Sequence, residues 1–162
     1  MNLQTLRGSL RGEQLTRRGN CLIYAINSVG CDTFGLVKDL HHIYLHETAY
    51  SRRKRLFRAV AKGRDALGTL IALAPPEDED NALYLIACVT QFGWGEALED
   101  NTRAREGVNS LNDRHYVAGL RADTKSNRRQ YFKTCLKKLA TLVMGHKDVE
   151  SVYFPEGIGC RG

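Results

Sequence analysis

Two stretches decide how this chain folds: Cys21-Leu22-Ile23-Tyr24-Ala25-Ile26 and Leu83-Tyr84-Leu85-Ile86-Ala87-Cys88-Val89-Thr90. Both are close to continuously apolar, whereas a strand with one wet face would alternate. Both are therefore predicted to be strands covered on two sides. A sheet buried on both faces needs helices to cover it, and the sequence offers them at Gly35–Leu45, Ser51–Lys62 and Asn127–Met144. The last is the clearest: Ser126 or Asn127 can cap it, Gly145 can end it, and Phe132, Cys135, Leu136, Leu139, Leu142 and Val143 share one face. Shorter apolar runs at Leu3–Leu6, Gly68–Ala74 and Ser151–Phe154 read as further strands. Strands alternating with helices predict an α/β fold, a three-layer α/β/α sandwich around a mixed, mostly parallel sheet.

Residues 1–162 read as a single domain, long enough to bury a core without disulfide staples. There is no internal repeat. Pro75-Pro76 followed by the acids Glu77 to Asp80 marks a loop, because paired prolines and like charges suit neither a helix nor a central strand. Gly93–Lys125 is polar and poorly periodic, and reads as a long excursion with a short helix and one strand at His115–Leu120.

With 43% hydrophobic and 26% charged residues, disorder is excluded as the overall state. No stretch approaches the ~20 apolar residues of a membrane span. Met1–Arg18 carries four arginines and no apolar block, so it does not read as a secretory signal. The five cysteines (Cys21, Cys31, Cys88, Cys135, Cys160) are odd in number and scattered, with no CxxC pair. That pattern favours reduced thiols in the cytoplasm, with the nucleus also open. The net charge of +6 is unevenly spread. Arg52–Arg64 holds seven cations and no anion, and Arg114–Lys138 is strongly basic again. Such a balance suits an anionic partner, either nucleic acid or a phosphorylated small molecule, although each cluster also reads as a solvated helix face.

In an open α/β sheet, ligands bind beyond the carboxyl ends of the strands, against loops and helix N-termini. Two loops have a suitable composition. Asn27-Ser28-Val29-Gly30-Cys31-Asp32-Thr33-Phe34-Gly35-Leu36 follows the first central strand, and Pro155-Glu156-Gly157-Ile158-Gly159-Cys160-Arg161-Gly162 follows the last strand. Glycines allow close backbone approach, so successive N–H groups can point at a phosphate.

Together and in this order, these segments resemble the macro domain family of ADP-ribose-binding modules. Thr5-Leu6-Arg7-Gly8-Ser9-Leu10 is similar to the family's first strand and the turn after it, and Cys21 to Asn27 to its second strand with the ribose-side asparagine. Gly30 to Leu36 resembles the first glycine loop, Leu67-Gly68-Thr69-Leu70 the strand before the acidic loop, and Leu85 to Gln91 the central strand that commonly ends in Gln. Tyr131 to Leu142, Ser151 to Pro155 and Gly157-Ile158-Gly159-Cys160 resemble the helix, strand and phosphate loop near the family's C-terminus. The resemblance covers most of the chain except Gly93–Lys125, and the Phe-Pro-x-x-Ile-Gly-Cys ending is its most specific part.

The resemblance implies an ADP-ribose cleft over the sheet. Asn27 would hydrogen-bond the distal ribose. Gly30, Gly35 and Leu36 would form one wall of the diphosphate slot, and Gly157, Ile158, Gly159 and Cys160 the other. Ser9 and Leu10 would meet the adenine, with Ser9 standing where many relatives have an aspartate. Asp32-Thr33 replaces the common apolar residue and glycine, and Arg161, in place of a small residue, can supply a compensating cation. The chain stops at Gly162, where the family continues through another glycine-rich stretch, so it reads as a short, divergent member or a fragment. Many relatives remove ADP-ribose from proteins or nucleic acids, or dephosphorylate ADP-ribose 1″-phosphate; others only bind.

The expectation is thus a monomeric hydrolase of an ADP-ribosyl linkage or terminal phosphate, needing no cofactor and no metal. Asp32 and Asn27 would be the catalytic residues, Asp32 as the general base or water-orienting group, although Asp32 also reads as a loop aspartate that faces solvent or caps the helix from Phe34. The partner would be ADP-ribose or an ADP-ribosylated protein or nucleic acid. The alternatives are a nucleic-acid-binding α/β module whose basic stretches track phosphates, and an inactive ADP-ribose reader. His42 and His46 have a zinc-compatible spacing with no completing ligand set, so they read as surface histidines. Cys31 and Cys160 have no histidine placed to activate them. Trp94, with Phe92 beside it, suits either stacking on the ligand or packing.

Overall fold

The computed structural model describes residues 19–29, 36–44, 49–51, 53–55, 61–62, 65–73, 83–93, 97 and 123–155. In chain order these form β1 (Asn20–Asn27), α1 (Leu36–Tyr44), β2 (Lys54–Arg55), β3 (Ala61–Lys62), β4 (Leu70–Leu73), β5 (Tyr84–Gln91), α2 (Lys125–Gly145) and β6 (Ser151–Tyr153). The fold is α/β, built on a mixed four-stranded sheet in the order β4-β5-β1-β6. β1 pairs in parallel with β5 on one side and with β6 on the other, while β4 lies antiparallel on the outer side of β5.

The continuous apolar runs are the two middle strands, and alternation along each sorts their side chains between two cores. Leu22, Tyr24 and Ile26 of β1 and Leu85, Ala87 and Val89 of β5 pack with Val37 and Leu40 of α1, Tyr50 and Leu73. Cys21 and Ile23 of β1 and Ile86 and Cys88 of β5 pack instead with Cys135 and Leu139 of α2. Burial on both faces accounts for sequences with no polar alternation. Leu136, Leu142 and Val143 complete the α2 seam, as its spacing predicts, while Phe132 is half-buried outside that cluster.

α2 begins earlier than its sequence suggests. Thr124, not Ser126 or Asn127, is the N-cap, and its Oγ1 accepts from the Asn127 backbone N–H at 3.2 Å. The helix ends at Gly145, and the His146 N–H satisfies the carbonyls of Leu142 and Val143. Two polar contacts tie its middle to the chain entering β4: the Lys138 ammonium donates to the Gly68 carbonyl at 2.8 Å, and the Cys135 thiol reaches the Thr69 carbonyl at 3.5 Å. Cys88 and Cys135 interact within the core. Their hydrogen bond, with burial added, pushes the Cys88 thiol above its ordinary range, and the same bond with Lys138 nearby pulls Cys135 below it.

The helix expected at Ser51–Lys62 is not there. Lys54–Arg55 and Ala61–Lys62 instead pair antiparallel, Lys54 opposite Lys62. Lysine and arginine suit a helix, but intrinsic propensity is a small preference that a tertiary anchor outweighs. Here the anchor is Arg53, whose side chain is buried in an ion pair with Asp65. The strands expected at Leu3–Leu6 and His115–Leu120, and most of the excursion at 93–125, lie outside the described residues. No helix among the described residues is long and apolar enough to cross a membrane.

Gly19 fixes how β1 enters the sheet. It sits at φ +90°, and its carbonyl accepts from the backbone N–H groups of Glu150 at 2.7 Å and Ser151 at 3.3 Å, which aligns β6. A Cβ there would lie 2.7 Å from the Asp148 carbonyl oxygen and 2.9 Å from Glu150 Cγ. Gly19→Ala is therefore expected to lower the unfolding free energy by about 2 kcal/mol or more, combining the positive-φ penalty with the displaced backbone. Urea unfolding measures it, and a variant as stable as the parent would contradict the arrangement.

Candidate functional site

The carboxyl ends of β1 and β5 lie side by side, and the ladder between them is irregular there. Ile26 pairs with Val89 but Asn27 pairs with Gln91, so Thr90 is an extra residue on β5. Such bulges re-aim side chains. Strict alternation would send Asn27 to the face of Cys21 and Ile23, yet its amide meets Tyr50, a member of the other core. The backbone of Ser28 then closes onto the Gln91 carbonyl at 2.8 Å, and that of Val29 onto the Phe92 carbonyl at 3.3 Å.

Tyr50 holds Asn27 twice. Its hydroxyl oxygen accepts from both the Asn27 backbone N–H and the Asn27 Nδ2, each at 3.2 Å. Burial pushes the Tyr50 phenol above its ordinary pKa, against the hydrogen bond from Asn27 and the nearby Arg53 charge, so it stays neutral at physiological pH. The Arg53 guanidinium lies 4.8 Å from the centre of the Tyr50 ring and forks onto Asp65 Oδ2 through Nε and Nη2. Asp65 is tied in again because its backbone carbonyl accepts from the Ser28 hydroxyl. Asn27, Ser28, Tyr50, Arg53 and Asp65 form one polar network in which all but Asp65 are buried.

A second network sits beside it at the end of β5. Arg128, in the first turns of α2, donates from Nε and Nη2 to the two oxygens of Asp123, at 2.9 and 2.8 Å, and from Nη1 to Gln91 Oε1 at 3.1 Å. The Asp123 carboxylate also takes the backbone N–H groups of Phe92 and Gly93, at 3.1 and 3.2 Å. The first residues after β5 are thereby clamped to the start of α2 by a buried, bidentate ion pair.

Of the residues expected to bind ligand, the structure describes two. Asn27 stands at the end of β1 as drawn, and Leu36 opens α1 and packs half-buried against the core of Tyr24, Ile26 and Tyr50. Ser9, Leu10, Gly30, Asp32, Gly35, Gly157, Ile158, Gly159, Cys160 and Arg161 lie outside the described residues, as does Trp94. Phe92 is buried, which leaves its ring packed rather than stacking on a ligand. Two members of the basic stretches are not on solvated faces: Arg53 and Arg128 are both buried in ion pairs. Sequence reasoning missed Tyr50, Arg53, Asp65 and Asp123. The available signals were Asp65 immediately after an all-cationic run, and Asp123 directly before a capping threonine.

Tyr50→Phe keeps the ring under Arg53 but deletes the acceptor of both Asn27 donors. It is expected to cost about 1–3 kcal/mol in urea unfolding, the penalty for leaving buried donors unpaired, and to shift the Asn27 side-chain amide resonances. Unchanged stability together with unchanged Asn27 resonances would show that the hydroxyl does not hold the amide.

The chain has no significant match to any protein-family model, to any curated protein or to any solved structure.

Proposed function

We propose that this chain is a macro domain, a three-layer α/β/α sandwich that binds ADP-ribose or an ADP-ribosylated target and hydrolyses an ADP-ribosyl linkage or a terminal phosphate. The observation that carries the reading is the placement of Asn27. It closes a buried parallel strand, lies opposite Gln91 at the end of the adjacent parallel strand, and has its amide oriented by a tyrosine. In open α/β sheets that edge is where ligands bind. β6 runs parallel to β1, so the chain leaves both strands toward the same edge, and each is followed by a glycine-bearing segment. The sequence resemblance to the macro domain family, strongest in Phe154-Pro155 and Gly157 to Cys160, adds the ligand's identity.

In this reading the Asn27 amide hydrogen-bonds hydroxyls of the distal ribose. Gly30, Gly35 and Leu36 face Gly157, Ile158, Gly159 and Cys160 across the diphosphate, with Arg161 adding a positive charge. A pyrophosphate is matched by backbone N–H groups and a helix N-terminus better than by many cations, and α1 begins where the first loop ends. Asp32, on that loop, takes the proton of the water that attacks the distal ribose C1″ or the terminal phosphate. A neighbouring diphosphate raises its pKa toward the range useful for a general base.

Calorimetry with ADP-ribose, ADP and AMP at matched ionic strength tests the reading. ADP-ribose is expected to bind, with affinity falling sharply once the distal ribose is removed. Asn27→Ala is expected to weaken ADP-ribose by about 1–3 kcal/mol and to leave AMP unaffected. Equal losses for both ligands would mean that the change acts through the Tyr50 network on the fold, and no binding at millimolar ligand would overturn the reading.

Turnover of ADP-ribosylated protein and of ADP-ribose 1″-phosphate tests the chemistry separately. Asp32→Asn is expected to lose roughly 10²–10⁴-fold in turnover with ligand binding preserved. Unchanged turnover would exclude Asp32 as the base, and a parent that binds without turnover would be a reader.

A further inference from the structure

The outer face of α2 carries a charge pattern that the fold does not need. Across Lys125–Gly145 the helix has six cations (Lys125, Arg128, Arg129, Lys133, Lys137 and Lys138) and no acid. Arg128 and Lys138 have work inside the molecule, in the ion pair with Asp123 and on the Gly68 carbonyl. Arg129, Lys133 and Lys137 are exposed, and among the described residues no carboxylate pairs with them. They recur at intervals of four, so they lie in one line along the helix, about 6 Å apart and spanning about 12 Å.

This placement costs stability twice. Like charges at i and i+4 repel, where a merely solvated helix face would mix the two signs. The cations also crowd the N-terminal two thirds of the helix, and neither an acid in the first turn nor a base in the last turn complements the macrodipole. Asp123, just before the helix, is taken up by Arg128, and no acid within the helix offsets the exposed line. A polyanion laid along the line would offset both.

We infer that the Arg129–Lys133–Lys137 line is a docking surface for the sugar-phosphate backbone of a nucleic acid. A single row of cations follows one phosphate strand, whereas reading a duplex groove takes base-contacting side chains between two flanking rows. The exposed residues interspersed along this face, Gln130, Ala140 and Thr141, include no aromatic platform for bases. Binding is therefore electrostatic and independent of base sequence. It is separate from the strand-end site and stands whether or not ADP-ribose binds there.

The test is fluorescence anisotropy of the whole chain with a 20-nucleotide oligothymidylate and with a 20-base-pair duplex, from 50 to 200 mM salt. Three contacts to a single strand make the affinity fall roughly 20-fold over that range. In Arg129→Gln/Lys133→Gln/Lys137→Gln the slope of log affinity against log salt is expected to drop by about 2 for the single strand and about 3 for the duplex. The triple variant is expected to melt no lower than the parent, because the repulsion along the helix is relieved. Lys38→Gln/Lys147→Gln removes exposed cations elsewhere and is expected to change the slope less per charge. A parent that binds neither oligonucleotide, an unchanged slope in the triple variant, or an equal effect per charge in the control would overturn the inference. So would binding to phosphatidylserine vesicles in place of nucleic acid.

Discussion

Everything described here hangs on the parallel pairing of β1 with β5. Each strand is apolar on both faces, so neither can stand at an edge or face water, and each supplies residues to both cores. α1 and α2 are placed by those cores, through Val37 and Leu40 on one side and Cys135 and Leu139 on the other. β4 and β6 then add to the free sides of the pair. Fully burying a leucine or isoleucine is worth about 1.5–3 kcal/mol, and the pair contributes Leu22, Ile23, Ile26, Leu85 and Ile86 at 2% exposure or less. No other pairing in the described residues carries a comparable load.

The same pairing decides where the polar chemistry goes. Within the strands, backbone groups are satisfied by the ladder. At the carboxyl ends the ladder stops, a bulge intervenes, and side chains have to finish the accounting. Two buried arginines do so: Arg53 by way of Asp65 and Tyr50 behind β1, and Arg128 by way of Asp123 and Gln91 behind β5. A buried ion pair adds little net stability compared with a well-packed apolar substitute, and losing one member is expensive. What such pairs supply is geometry. Here they hold the Asn27 amide and the Phe92–Gly93 backbone in fixed orientations at the sheet edge where α/β proteins bind ligands.

Much of the sheet was legible in the sequence, because two-sided burial writes itself as unbroken apolar runs. Four of the six expected strands and two of the three longer expected helices fall among the described residues with boundaries shifted by a few positions; Leu3–Leu6 and His115–Leu120 lie outside them. The stretch at Ser51–Lys62 was misread because its cations suit a helix locally, and only the burial of Arg53 against Asp65, a contact across twelve positions, reveals the β2–β3 ribbon. The site was half legible. The place of Asn27 at the end of a strand follows from an apolar run and its choice as a site residue from the family resemblance, but Tyr50 acts from 23 positions away in sequence, and no local pattern announces such a partner. Composition also hid the difference between the arginines: Arg128 and Arg129 are neighbours in one basic stretch, one buried in an ion pair and the other exposed.

The strand order also sets a timetable for synthesis. β1 leaves the ribosome well before either of its partners: Cys21 pairs with Tyr84 on one side and with Val152 on the other. At 5–20 residues per second, on the order of ten seconds separate the appearance of β1 from that of β6. For that interval an eight-residue segment of nearly unbroken hydrophobic character has no native neighbour along at least one side. In a nascent chain of this topology the segment most exposed to aggregation is β1 rather than the long helix α2.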